Sequence, residues 1–144
     1  MSKILVLCHG NYMRSPACEA VLLAEGLEVE SAGFHPRAGR AAKKMRLAMA
    51  ARGYTLEQHK PRMVTEEMVN DARLVLLMDG GNADRFNKMF LEPEQRLKVR
   101  CLGHYIQLGR IQDPAFQSEP RFSEIVDEII RASAAVAADW RLKS

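Results

Sequence analysis

Short apolar runs alternate with helical stripes along this chain. Residues 3–7 (Lys-Ile-Leu-Val-Leu) are apolar almost throughout and give way at once to polar and glycine residues. A run of that length without alternation predicts a strand covered on both faces, as in a parallel sheet. A helix is expected over 15–25, with Pro16 tolerated in its first turn and Gly26 as its C-terminal stop. Residues 27–31 read as a second strand ending at Ser31-Ala32-Gly33, followed by a loop over 34–39. The Ala-, Met- and Lys-rich stretch 40–52 predicts a helix closed by Gly53, with Met45, Leu47, Ala48 and Met49 on or near one face. Met63 joins Met45 and Met49 as expected core filling.

Thr65 before Glu66-Glu67 predicts a capped helical turn to about residue 70. Residues 73–78 give the strongest strand signal, and Asp79 is placed to cap a helix running to Phe90. A weaker strand is expected over 97–102. The longest helix is expected over 119–142, with Pro120 in its first turn and Phe122, Ile125, Ile129, Ala132 and Val136 at helical spacing. Strands alternating with helices in the order β-α-β-α-α-β-α-β-loop-α predict a doubly wound α/β fold. One domain over 1–144 is expected, with a four-stranded parallel sheet and helices on both faces.

Composition narrows the function without naming it. With 144 residues, 47% hydrophobic and 27% charged, the chain has enough material for one core and is not disordered in composition. A net charge of +3 is too mild to predict a nucleic-acid surface, and no apolar run approaches membrane-helix length. The chain enters its first strand without a signal-peptide-like apolar leader, and its three cysteines lack framework spacing. A reducing cytoplasm is therefore expected, with no nucleic-acid or membrane partner and the oligomeric state left open.

Chemistry concentrates at the end of the first strand: Cys8-His9-Gly10-Asn11-Tyr12-Met13-Arg14-Ser15-Pro16. In open α/β sheets, ligands lie beyond the carboxyl ends of the strands. A tight loop entering a helix turns successive N–H groups inward as an anion nest, and the helix dipole adds positive potential. Arg14 supplies a planar fork for two phosphoryl oxygens. A thiolate is favoured at such a position, so Cys8 is placed to face a bound phosphorus, with Ser15 hydrogen-bonding the sulfur. Gly10 and Asn11 are expected to supply left-handed backbone. A cysteine ending a buried strand is commonly just a small hydrophobe, but this spacing and context favour a nucleophile.

With these residues the chain resembles the low-molecular-weight protein tyrosine phosphatases, whose hallmark is Cys-x5-Arg-Ser-Pro after the first strand. The other shared landmarks are Ser31-Ala32-Gly33, His59 followed by Arg62, the apolar strand ending in Met78-Asp79 with Asn82 beyond, and Asp113-Pro114 before the last helix. The resemblance implies that Cys8 attacks phosphorus to give a phosphocysteine. It also implies that Arg14 and the amides of residues 9–14 hold the phosphoryl oxygens, and that Asp113 is the general acid. Asn11, Ser15, Ser31 and His59 would form a supporting polar network, and a tyrosine-phosphorylated protein would be the substrate. No metal or cofactor is implied.

Each carried residue has a plainer reading beside it. Asp113 before a proline can simply open a turn, His59 can be an ordinary loop histidine, and Asp79 can be a helix cap. Lys43-Lys44 and Arg121 read as solvated faces. Where many members have a second cysteine before the arginine, this chain has Met13, so oxidised Cys8 lacks that neighbour. Cys18 is expected to be buried and inert. Tyr12 replaces a smaller residue, and Ala115-Phe116 follow the Asp-Pro pair; Tyr12, Phe34, His35 and Phe116, with Arg37, become candidates for the substrate rim. Rival functions are a non-catalytic phosphoprotein binder and a thiol-dependent arsenate reductase; the latter lacks its further cysteine pair, since residues 80–90 contain none. Cys101-x-x-His104 offers only two of four zinc ligands.

Overall fold

The computed structural model describes residues 3–143; Met1, Ser2 and Ser144 lie outside the described residues. β1 (Lys3–Cys8), β2 (Val29–Gly33), β3 (Ala72–Leu77) and β4 (Val99–Cys101) form one parallel sheet in the order β2-β1-β3-β4. Because side chains alternate across a strand, β1 feeds two cores at once. Ile4, Val6 and Cys8 join α1 (Arg14–Ala24), α2 (Lys43–Ala50) and α6 (Arg121–Leu142) on one face. Leu5 and Leu7 join Val64, Val69, Phe86 and Phe90 on the other, where α3 (Glu66–Asp71) and α4 (Gly80–Met89) lie. Both faces are covered, which is why the strand carries no polar alternation.

The chain leaves β1 toward β2 on one side and later returns to β3 on the other. The carboxyl ends of β1 and β3 therefore border a topological switch point. Local signals place the elements around it. Gly26 (φ +83°) ends α1 in a Schellman motif, with its N–H on Leu23 O and that of Leu27 on Leu22 O. Thr65 Oγ1 accepts from Met68 N and Asp79 Oδ1 from Asn82 N, so both expected caps are present.

The differences from expectation have tertiary causes. α2 starts at Lys43 rather than near residue 40 because the Ala42 N–H is given to Tyr12 O and Ala42 is extended (φ −55°, ψ 134°), after a bent stretch over 38–41. Met45 and Met49 are buried, but Leu47 is 61% exposed and Met63 is 49% exposed, so neither belongs to the core. Met63 instead bridges to Gly33 at the sheet margin. α6 begins at Arg121, leaving Pro120 as the residue before the helix rather than in its first turn.

A further helix, α5 (Pro93–Leu97), takes the start of the expected fourth strand. It is opened by a capping box between Glu92 and Gln95, whose buried amide also reaches Glu66 Oε2 and Asn70 Oδ1. A short 3-10 turn, Leu102–Ile106, takes the end of that strand.

Candidate active site

Cys8 ends β1 at 3% exposure, and the loop after it owes its shape to residues 34–42. Cys8 O, His9 O, Gly10 O and Tyr12 O accept the N–H groups of Phe34, His35, Arg37 and Ala42 at 3.3, 2.7, 3.0 and 3.0 Å. In a trans peptide the carbonyl and the following N–H point in opposite directions. With these carbonyls turned outward, the amides of His9, Gly10, Asn11 and Met13 turn to the concave side. The loop is thereby lined with N–H donors of the kind that can bind an anion.

Asn11 alone in the loop is left-handed (φ +48°). Gly10 is not; a Cβ there would meet Arg37 Cγ at 3.2 Å and Tyr12 Cβ at 3.4 Å, so its glycine serves close approach rather than conformation. Gly33 is needed for the same reason, since a Cβ would lie 2.8 Å from Asn11 N and 2.9 Å from His9 O.

The fully buried Asn11 side chain holds its own turn. Its Nδ2 donates to Ser15 Oγ (2.8 Å) and Ser31 Oγ (3.0 Å), and its Oδ1 accepts from the Arg62 N–H (3.0 Å). His59 Nε2 meets Asn11 O at 2.8 Å. Ser15 Oγ lies 3.0 Å from Cys8 Sγ. Since Asn11 donates to it, the hydroxyl proton is free to point at the sulfur and stabilise a thiolate. Asn11, Ser15, Ser31 and His59 are thus brought together.

Glu19 completes this cluster and was not among the expected residues. It accepts from Ser31 Oγ at 2.7 Å and faces His59 Nδ1 at 3.6 Å. Its sequence signal was its place one helical turn after Ser15, on the same face of α1. A cleft of about 530 Å³ opens behind this network, bordered by Glu19, Leu23, Leu56 and His59, and does not reach Cys8.

Arg14, 3% exposed, spans the crevice between strand ends. Its Nη1 donates to Asp79 Oδ2 (2.8 Å) and Ile111 O (2.7 Å), which fixes the guanidinium plane and leaves Nε and Nη2 without a protein hydrogen bond among the described residues. Asp79 is therefore both helix cap and arginine anchor. Burial pushes its carboxyl upward, but hydrogen bonds from Arg14 and the Asn82 N–H and the charges of Arg14 and Arg110 outweigh it, leaving it below the ordinary aspartate value. Cys18 is fully buried, and that burial pushes its thiol up to about 12, so it stays protonated.

Asp113 is exposed, and its Oδ1 accepts the Ala115 N–H at 3.0 Å, closing the turn it opens. Cations pin this segment at both ends. Arg121 Nε donates to Gln112 Oε1 (3.0 Å) while its Nη groups fork onto Glu128, and Lys44 Nζ donates to Gln117 O (2.6 Å). Neither Lys44 nor Arg121 is a mere solvated face.

The rim candidates divide. Phe34 is 2% exposed and packs in the core on the far face of the sheet, so only its N–H serves the site. His35 is exposed with its ring 5.4 Å from that of His9, and Tyr12 is half-buried beneath the Arg37 guanidinium. Phe116 is fully exposed, with φ +67°.

A thiol at the base of an amide-lined loop, closed by an arginine at a switch point of a parallel sheet, defines a cysteine-based phosphatase. Residues 3–143 match the family model of the low molecular weight phosphotyrosine protein phosphatases, and the chain belongs to that family. It is 33% identical over 135 residues to the low molecular weight protein-tyrosine-phosphatase Etp of Escherichia coli, covering 92% of this chain and 90% of that one. The crystal structure of the Erwinia amylovora tyrosine phosphatase AmsI superposes with a TM-score of 0.88 at 28% identity, covering 96% of this chain and 93% of that chain. The YwlE arginine phosphatase of Geobacillus stearothermophilus is also similar, with a TM-score of 0.88, 26% identity, and coverage of 99% and 95%.

Among the described residues no helix is long and apolar enough to cross a membrane.

Proposed function

We propose that the chain is a single catalytic domain hydrolysing phosphotyrosine on proteins through a phosphocysteine at Cys8. The observation that carries this is the placement of Cys8 Sγ, 3.0 Å from Ser15 Oγ, beneath the inward amides and the anchored Arg14. Arg14 and the loop amides bind the phosphoryl oxygens and hold phosphorus in line with the sulfur. The Cys8 thiolate attacks phosphorus, forming the S–P bond as the P–O bond to the phenolate breaks. Asp113, protonated at this stage, gives its proton to the leaving oxygen. In the second half, Asp113 takes a proton from water, the water oxygen attacks phosphorus, and the S–P bond breaks to release phosphate and restore the thiolate. The Ser15 hydroxyl supports the sulfur as both nucleophile and leaving group. Such thiolate chemistry suits a reducing cytoplasm.

Preference for the phenolate follows from Tyr12, whose ring borders the nucleophile loop and offers an apolar surface to an aromatic leaving group. Hydrolysis of matched phosphotyrosine, phosphoserine and phosphoarginine peptides by wild type and Cys8→Ser tests this reading. Turnover of the phosphotyrosine peptide, abolished in Cys8→Ser, is expected. Exclusive turnover of the phosphoarginine peptide would reassign the substrate, and turnover that survives Cys8→Ser would refute the mechanism.

A further inference from the structure

Charge is distributed unevenly along the chain. Between positions 31 and 56 lie Arg37, Arg40, Lys43, Lys44, Arg46 and Arg52, with no Asp or Glu. The remainder carries 15 basic against 18 acidic residues, so this stretch alone makes the protein net positive. It borders the active site. Its backbone amides hold the carbonyls of the nucleophile loop, and Lys44 reaches Gln117 O at the end of the segment carrying Asp113. One basic stretch thus runs from one side of the mouth to the other.

Several of these charges are neutralised. Arg40 and Arg46 face Glu57, and Arg52 pairs with Asp127. Among the described residues, Arg37 and Lys44 have no carboxylate ion pair. The exposed Arg37 guanidinium lies 4.5 Å from the Tyr12 ring centroid, and the Lys44 ammonium lies 4.2 Å from that of Phe122. Glu119 attracts Lys44 at longer range, but its carboxylate bonds to Ser123 N–H and Oγ and forms no ion pair with the ammonium. A ring face orders a cation without cancelling its charge. Two ordered cations without an ion pair therefore border the mouth, Arg37 on the loop after β2 and Lys44 in the first turn of α2.

We propose that Arg37 and Lys44 read anionic side chains beside the phosphorylated residue, so that the preferred substrate is a phosphotyrosine embedded in acidic sequence. This rests on the phosphatase reading and specifies its substrate class. The phosphate itself is served by Arg14 and the loop amides, which leaves the two rim cations for carboxylates on the flanking peptide. Rim charges act mainly on encounter and KM, each by a few-fold, and their effect is screened by salt.

The test uses three peptides of one length, each with a single phosphotyrosine flanked by Glu, by Gln or by Lys. The expected order of kcat/KM is acidic over neutral over basic, with acidic exceeding neutral by roughly tenfold near 0.1 M salt. The ratio should collapse near 1 M, where the screening length falls from about 10 Å to about 3 Å. Arg37→Glu should bring the ratio to unity or below, Lys44→Gln should lower it by a few-fold, and Arg37→Lys should retain most of it. Because the ratio is taken within each variant, loss of folded enzyme cancels. A wild-type ratio at or below unity, or one untouched by both Arg37→Glu and Lys44→Gln, would overturn the proposal. Failure of wild type to hydrolyse p-nitrophenyl phosphate or any of the peptides would instead strike the phosphatase reading, and the substrate class with it.

Discussion

The two loops that meet at this site are built on opposite principles. The nucleophile loop is buried and over-determined: Asn11, Ser15 and Arg14 are at most 3% exposed, and their polar atoms bond to one another or to neighbouring elements. The segment carrying Asp113 is held at its ends by Arg121 and Lys44 and between them by the buried Pro114, but Asp113 and Phe116 are exposed. A phosphate cradle gains from rigidity because its donors must not reorganise as charge shifts. In the general-acid role proposed for Asp113, the carboxyl must reach the leaving oxygen of a varied substrate and then admit water, which suits an exposed side chain on an otherwise anchored segment.

Perturbations should respect that division. The largest effect belongs to Cys8→Ser, expected to lower turnover of p-nitrophenyl phosphate by roughly four orders of magnitude or more while vanadate binding persists. Steady-state kinetics and equilibrium titration separate the two effects. Asp113→Ala should cost about 10²–10³-fold in kcat for phenols of high pKa and less for p-nitrophenol, with vanadate affinity unchanged. A uniform loss across a leaving-group series would place the acid elsewhere.

Asn11→Ala removes the three side-chain hydrogen bonds and the residue type that tolerates the left-handed turn. It should destabilise the protein by about 2–3 kcal/mol in denaturant titration. The Asp79–Arg14 bridge gives a smaller, pH-dependent effect. Because Asp79 titrates below its unfolded value, its contribution is fully present above the ordinary aspartate range and is lost as pH falls through the lowered value. The stability gap between wild type and Asp79→Asn should therefore be widest near neutrality and close in acid. A gap that grows on acidification would contradict the bridge. Smallest is Arg121→Gln, expected to reduce kcat about threefold for poor leaving groups with KM unchanged, because the Asp113 segment loses one anchor.

The same contrast governs what could be read from the residues in order. Cys8, Arg14, Ser15 and Pro16 are close in the chain, and the helix start they share is a local event, so the strand-loop-helix turn that carries them was legible. β1 and β3 were legible because burial of their central residues leaves the apolar runs Ile4-Leu5-Val6-Leu7 and Leu74-Val75-Leu76-Leu77. Partnerships across the fold were not. Arg14 meets Asp79 and Ile111 O from 65 and 97 positions away, and Glu19 is joined to Ser31 and His59 only when α1 packs beside β2. Phe34 was misplaced at the rim because a loop aromatic beside a motif gives no sign of which face of the sheet it enters. α5 carried a readable signature in Glu92-Pro93-Glu94-Gln95, a capping box with proline in the first helical turn, obscured by the apolar residues that suggested a longer strand.

The account depends most on the covalent step at Cys8. Rapid quenching of wild type and Asp113→Ala during turnover of an aryl phosphate, followed by peptide mass mapping, reads it directly. One phosphoryl group on the peptide containing Cys8, absent from Cys8→Ser and released as inorganic phosphate on chase, is the predicted result. Full turnover with no label on Cys8 under any quench, or label on Cys18 or Cys101 instead, would contradict it.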